Sequence, residues 1–148
     1  MRNIAAVLFA LVLLPSMAVA QSVASVLRDF GLIRGSWAPD CSKGPSTSNW
    51  YGIFQELPSG GARLTYKSKT GDSGDNVYVI WLARRLSDKE ILLGQEFVRE
   101  KRRLELVLHV DGDRYRTLSA KRENGDYQVK DGKYTNGGAD SPWLNRCR

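Results

Sequence analysis

The chain has 148 residues, of which 42% are hydrophobic, and 22 Lys and Arg against 16 Asp and Glu give it a net charge of +6. This length is enough for one domain with a hydrophobic core. One His and two Cys are too few for a metal cluster or for a histidine-dependent nucleophilic triad, so the composition argues against both.

The N-terminal segment has the three parts of a cleavable secretory signal peptide. Arg2 supplies positive charge, an uninterrupted apolar run extends from Ile4 to Leu14, and Ala18 and Ala20 are small residues of the kind that a signal peptidase recognises. As a helix, the 11 apolar residues would be about 16 Å long, too short for a hydrocarbon core of about 30 Å. We therefore predict cleavage after Ala20 rather than a permanent membrane anchor.

Removal of the signal peptide at residues 1–20 leaves a single domain at residues 21–148. The short signal is typical of a bacterial protein, so we expect a periplasmic or secreted location. The domain begins with an amphipathic helix, for which Ser22 can cap the start and Gly31 can provide a left-handed end. Four apolar residues share one helical face at spacings of three and four. They are Val23, Val26, Leu27 and Phe30.

After Gly35 the hydrophobic period changes to two, which is typical of strands. Short turn signals such as Asn124-Gly125 and Asp131-Gly132 separate the strands and suit tight hairpins. The predicted strands cover Ser36–Cys41, Trp50–Glu56, Ala62–Lys67, Asp75–Leu86, Glu90–Val98, 103–111, Arg114–Lys121, Tyr127–Lys130 and Trp143–Cys147. This pattern predicts an all-β fold: an antiparallel up-and-down barrel of about eight strands with one short N-terminal helix. A two-sheet sandwich is the alternative.

The two cysteines lie near the two ends of the mature chain. In an oxidising compartment an even count predicts a disulfide, and two residues allow one pairing, Cys41 with Cys147. Such a bond, closing a loop of 106 residues, contributes about 2–4 kcal/mol of stability in typical proteins.

The segment Gly35-Ser36-Trp37, placed after a short helix, resembles the opening of the lipocalins and related calycin-like barrels. In those families a G-x-W begins the first strand and its Trp plugs the closed end of the barrel. The resemblance implies an eight-stranded barrel, and small secreted bacterial inhibitors of metalloproteases use a similar one. The mature chain is shorter than a typical lipocalin, and its disulfide would join both ends. The resemblance therefore leaves open whether the barrel interior is a ligand cavity or is filled by side chains.

Two further motifs resemble those of a loose group of small exported bacterial proteins whose function is not established. The first, W-x-x-D-C-S, starts at Trp37, and the second, P-W-L-x-x-C, starts at Pro142. These motifs lie near the start and the end of the barrel domain, and they imply no activity.

Aromatic residues are concentrated in the first half of the domain, and four Trp are many for its size. Bulky rings fill small β cores, and they also line pockets for hydrophobic ligands. We predict that six of them form the core or a ligand pocket. They are Trp37, Trp50, Phe54, Tyr66, Tyr78 and Trp81.

No residue pattern predicts catalysis, a metal site or a cofactor. His109 falls on the outward face of a predicted strand, where a solvated side chain is the usual case. Asp111 and Asp113 have a D-x-D spacing, but the remaining ligands of a calcium loop are absent. We therefore expect no enzymatic activity.

Basic residues occur in short clusters, such as Arg84-Arg85 and Lys121-Arg122, beside acidic residues such as Asp88 and Glu123. Lys and Arg at strand ends commonly protect sheet edges. Because the protein is predicted to be exported, we expect no nucleic-acid partner. An anionic envelope surface is the alternative partner that the basic charge allows.

These features favour an exported, non-enzymatic binding protein that holds a small apolar ligand or a protein segment. The first alternative is an inhibitor of a secreted hydrolase, a protease or a lysozyme, acting through the loops Ser42–Asn49 or Thr70–Asn76. The second is a basic structural protein associated with the envelope.

Overall fold

A computed structural model gives the structure of residues 21–68 and 74–148. The predicted signal peptide at residues 1–20 lies outside the described residues, as does most of the loop Thr70–Asn76. The described residues form one helix, α1 (Val23–Asp29), and ten strands. The strands are β1 (Ser36–Ala38), β2 (Tyr51–Glu56), β3 (Ala62–Lys67), β4 (Asn76–Arg85), β5 (Glu90–Phe97), β6 (Arg102–Asp111), β7 (Arg114–Arg122), β8 (Tyr127–Lys130), β9 (Lys133–Tyr134) and β10 (Leu144–Cys147).

Strands β1 to β7 form an antiparallel meander, and β10 closes it into a ring by pairing with β1 on one side and β7 on the other. The ring therefore has eight strands, which confirms the predicted up-and-down barrel. Strand β10 pairs with the first half of β7, at Tyr115 and Arg114. The hairpin of β8 and β9 continues from the second half of β7, at Ala120 and Lys121.

Helix α1 covers one end of the barrel. The Ser22 hydroxyl accepts a hydrogen bond from the Ser25 backbone N–H, and Gly31 ends the helix with a φ of 70°. The buried face includes Val26 and Leu27, which belong to the same apolar cluster as the barrel interior. The Arg85 guanidinium, at the end of β4, lies 4.5 Å from the centre of the Phe30 ring. These contacts place the helix at the end of the barrel where β4 ends and β5 begins.

The barrel interior is filled near the helix. Trp37 is fully buried there, and its indole N–H donates a hydrogen bond to the Leu32 carbonyl at 3.0 Å. The ring meets Tyr115 edge-on, with centroids 5.1 Å apart, and the Arg146 guanidinium lies 4.9 Å from its centre. Apolar residues from every side complete this end. Among them are Phe54, Leu64, Ile80, Ile91, Leu93, Leu108 and Leu144.

The predicted disulfide between Cys41 and Cys147 is present, with Cα atoms 5.3 Å apart. It links the segment after β1 to the last residue of β10, the strand that closes the ring. A disulfide is consistent with an oxidising, exported location. In the stretches that the structure describes, no helix has the length and apolar character needed to cross a membrane.

The structure differs from the sequence prediction mainly at β1 and β9, while the ends of several other strands differ by one residue. Strand β1 ends at Ala38 rather than Cys41, because Pro39 lacks an N–H and the Asp40 carboxylate accepts hydrogen bonds from Ser42 instead. Strand β9 was not predicted, since two residues are too few to show a hydrophobic period.

Candidate functional site

The end of the barrel opposite α1 is not filled. It contains a cavity of about 860 Å³, which is within the range of small-molecule sites. Its lining comes from the segment directly before β2, from β3 to β7 where these strands reach this end of the barrel, and from the β8–β9 hairpin. The interior therefore has a packed half beside α1 and an open half at the other end.

Three rings, one directly before β2 and the others on β3 and β4, form one wall of the cavity. Trp50 meets Tyr66 edge-on at 4.7 Å between centroids, and Tyr66 meets Tyr78 edge-on at 5.8 Å. All three are only partly buried, and Tyr127 and Tyr134 of the β8–β9 hairpin add two more rings at the mouth. A ring that touches its neighbours by an edge leaves its remaining faces for other contacts, and here those faces border the cavity.

A buried amide lies among these walls. Gln95 of β5 is 2% exposed and lines the cavity, and its side-chain oxygen accepts no hydrogen bond from any residue that the structure describes. Leaving a buried acceptor without a partner costs about 1–3 kcal/mol. The strand pairing sets Gln95 between Ile80 and Leu104, neither of which has a polar side chain to offer it.

Two tyrosines and a glycine lie where the open half meets the packed half. A Cβ atom at Gly52 would come within 3.0 Å of the Tyr115 hydroxyl and 3.2 Å of the Tyr66 ring. The two rings therefore leave too little room for a larger side chain at this position. Burial raises the pKa of both tyrosines above the ordinary value of 10.0. Their hydroxyls are therefore neutral at physiological pH.

The charged side chains of the cavity lining lie at its opening. Among the described lining residues, Arg122 and Asp126 are the charged ones. The Arg122 backbone N–H donates to the Asp126 carbonyl at 2.8 Å, and the Arg122 Nε is buried without a hydrogen-bond partner in the described residues. The remaining polar lining is neutral. It consists of Thr47, Ser68, Asn76, Gln95, Thr117, Gln128, Thr135 and Asn136.

The six aromatic residues predicted for the core or pocket fall into three places. Trp50, Tyr66 and Tyr78 line the cavity, whereas Trp37 and Phe54 lie in the packed half. Trp81 is in neither, because it lies on the outside of the barrel.

Trp81 is 51% exposed, and its ring covers Gly94 of the neighbouring strand. Trp81 follows the inward-facing Ile80, so strand alternation places it on the outer face, and the shift in the pairing of β4 with β5 between Ile80 and Leu82 makes it the extra residue of a bulge. A Cβ at Gly94 would lie 2.6 Å from the indole, which shows how closely the ring lies on the strand.

Sequence reasoning missed Gln95, Arg122, Tyr127 and Tyr134. A signal for Gln95 is present in the sequence, because it is the polar member of an otherwise apolar inward face with Ile91, Leu93 and Phe97. No comparable signal marks the two tyrosines, which lie in strands of four and two residues.

The other residues considered for chemistry do not form a site. His109 is partly exposed, with its Nδ1 4.0 Å from the Glu90 carboxylate and its ring edge-on to Trp143 at 5.8 Å. Within residues 21–68 and 74–148, no three His, Cys, Asp or Glu side chains come together as metal ligands.

Compared with known proteins, the sequence matches no family model, no curated protein and no solved structure. The barrel itself is established by its strand pairing, and the lipocalin resemblance stays a prediction that rests on the G-x-W segment.

Proposed function

We propose that this chain is an exported, non-enzymatic binding protein that holds one small, ring-containing molecule in the open half of its barrel. The observation that carries the proposal is the cavity of about 860 Å³ with the edge-to-face wall of Trp50, Tyr66 and Tyr78. A cavity of this size buries most of the surface of a small ligand.

The composition of the lining indicates an amphipathic ligand rather than a wholly apolar one. The rings and Leu104 and Leu106 supply apolar surface, while amide and hydroxyl groups supply hydrogen bonds at several points. Few precisely placed polar groups in an apolar pocket are what fixes the orientation of a bound small molecule. The ligand we expect therefore has a flat apolar body and at least one polar group.

Two further observations support a role outside the cytoplasm. The disulfide suits an oxidising compartment, and the predicted signal peptide would deliver the chain there. The resemblance to lipocalin-like barrels, carried by Gly35-Ser36-Trp37, agrees with ligand carriage.

The test uses two tryptophans that differ in location. Binding of the fluorescent probe 1-anilinonaphthalene-8-sulfonate to the oxidised, exported protein is measured for the wild type, Trp50→Ala and Trp81→Ala. We expect Trp50→Ala to weaken binding at least several-fold, because it removes part of the cavity wall. Trp81→Ala is the matched control and should bind like the wild type, because its ring is outside the barrel.

Extraction of the natively purified protein with organic solvent, followed by mass spectrometry, should release a co-purifying compound. Absence of any such compound together with absence of probe binding would contradict the proposal. Equal loss of binding in both Trp variants would also contradict it, since the probe would then bind elsewhere.

A second candidate function, inhibition of a secreted hydrolase, is favoured by the rigidity of the loop Ser42–Asn49. Asn49 is 5% exposed, and its side chain accepts from the Asp40 N–H and donates to the carbonyls of Asp40 and Lys43. A preorganised exposed loop loses little entropy on binding a partner. We expect micromolar inhibition in a panel of proteases and lysozymes that Asn49→Ala abolishes; no inhibition by the wild type would remove this candidate.

A further inference from the structure

We propose that the ligand carries an N–H or O–H group on a flat ring and donates a hydrogen bond from it to the side-chain oxygen of Gln95. This inference rests on the proposed function, and it specifies the chemical class of the ligand. Among the described lining residues, Gln95 is the one polar side chain that is almost fully buried and has an atom without a hydrogen-bond partner in the described part of the chain.

The surroundings of Gln95 explain why the acceptor has no partner among the residues that the structure describes. Along β5 its neighbours on the inward face are Leu93 and Phe97, both buried. Across the strands it is paired with Ile80 on β4 and Leu104 on β6. None of these four side chains can donate a hydrogen bond, so in the proposal the donor comes from the cavity that Gln95 lines.

A purely structural role would favour a different residue at this position. Leu or Met would fill the same volume and would leave no acceptor unpaired. A buried polar group that lowers the stability of the free protein is typical of binding sites, where the ligand supplies the missing partner.

The position of Gln95 relative to the aromatic wall fixes the kind of molecule that reaches it. Tyr78 is paired with Phe97, so Gln95 is its diagonal neighbour on the same face, with Cα atoms about 7–8 Å apart in typical sheets. The planes of Tyr66 and Tyr78 are 80° apart, so a ring that stacks on one of them meets the other edge-on, and it can point an N–H or O–H on its own edge at the amide oxygen. Heteroaromatic N–H compounds and phenols have this shape.

The test compares two probes that differ in one hydrogen-bond donor. Indole has a ring N–H, whereas 1-methylindole has the same flat body and no donor. Dissociation constants for both are measured on the oxidised wild type, on Gln95→Met and on Gln55→Met. Gln55 is exposed on β2 and does not line the cavity, so the same substitution there is the matched control.

We expect the wild type and Gln55→Met to bind indole roughly 3–10-fold more tightly than 1-methylindole, the value of one hydrogen bond. Gln95→Met should bind the two probes equally. The unliganded Gln95→Met variant should also have a higher melting temperature than the wild type, because the unpaired acceptor is gone.

Three outcomes would overturn the inference. If the wild type binds 1-methylindole as tightly as indole, the donor is irrelevant, and the proposed function stands without it. If Gln95→Met melts at a lower temperature than the wild type, the amide has a structural role instead. If neither indole nor 1-anilinonaphthalene-8-sulfonate binds at all, the proposed function fails, and the inference fails with it.

Discussion

The two halves of the barrel are built by the same strands and differ in what those strands present to the interior. Strand β5 has Ile91 and Leu93 in the half beside α1, where both are fully buried, and Gln95 in the open half, where its buried acceptor has no partner among the described residues. Strand β2 likewise has Phe54 in the packed half, and Trp50, the residue directly before β2, lies at the cavity. The comparison indicates that position along a strand separates residues that stabilise the fold from residues that line the proposed binding site.

The largest expected difference between the halves concerns Trp37 and Trp50. Trp37→Ala should lower the free energy of unfolding by about 3–5 kcal/mol, because it removes a fully buried ring and its hydrogen bond to Leu32. Trp50→Ala should lower it by only about 1 kcal/mol, since that ring is partly exposed. Chemical denaturation of both variants measures these free energies of unfolding. Similar losses in the two variants would contradict the distinction between a packed half and an open half.

The disulfide should contribute to folding without taking part in binding. Cys41→Ser combined with Cys147→Ser should reduce the free energy of unfolding by about 2–4 kcal/mol, because the closed loop of 106 residues restricts the unfolded chain. Probe affinity of the folded fraction should stay unchanged, as neither Cys lines the cavity. A large loss of affinity in the folded double variant would show that the ring closure also shapes the open half.

One substitution placed in both halves sharpens the comparison further. Ala62 is fully buried in the packed half, so Ala62→Leu should cost about 1–3 kcal/mol through overpacking. Ala120 borders the cavity, so Ala120→Leu should cost less stability and weaken probe binding by occupying part of the cavity. Thermal melts and probe titrations of the two variants give the result; strong destabilisation by Ala120→Leu would mean that the open half is in fact tightly packed.

The smallest expected effects concern pH. Hydrogen bonds from Ser42, followed by contact with Lys43, lower the pKa of Asp40 to about 2 from the ordinary 3.8. The carboxylate therefore stabilises the folded loop above pH 3.8, and this contribution is lost as the pH falls through 2. NMR titration should show the low pKa in the wild type, and Asp40→Asn should remove the pH dependence of the loop between pH 3.8 and 2.

The buried tyrosines of the interior affect the stability of the protein at high pH. Because burial raises the pKa of Tyr66 and Tyr115, the folded state keeps protons that the unfolded state releases above pH 10, and stability falls there. Indole affinity should be constant between about pH 5 and 9, where these hydroxyls stay neutral. A titration midpoint for binding inside that range would point to a different ionisable group in the site.

Much of the fold could be predicted because its signals are local. The stripe from Val23 to Phe30, the cap at Ser22 and the glycine at Gly31 define α1, and the period of two defines the long strands. The pairing of Cys41 with Cys147 followed from composition and compartment. Closure of the barrel followed from the series of short antiparallel connections.

The cavity could be predicted only in part, because it depends on how strands meet. The bulge at Trp81 changes which residues of β4 face inward, from Tyr78 and Ile80 before it to Ala83 after it, and it depends on the pairing of β4 with β5. The open half exists because β7 is paired with β10 along its first half and with β8 along its second. No local pattern encodes that change of partner, whereas the polar Gln95 within an apolar face was visible in the sequence.

The most direct test of the account is an NMR titration of the isotope-labelled, oxidised protein with indole. The account predicts chemical-shift changes centred on Tyr78, Gln95 and Leu106, with little change at Leu27 and Leu93 in the packed half. Changes centred on Trp81 and the outer surface, or no changes at millimolar indole, would contradict the assignment of the open half as the binding site.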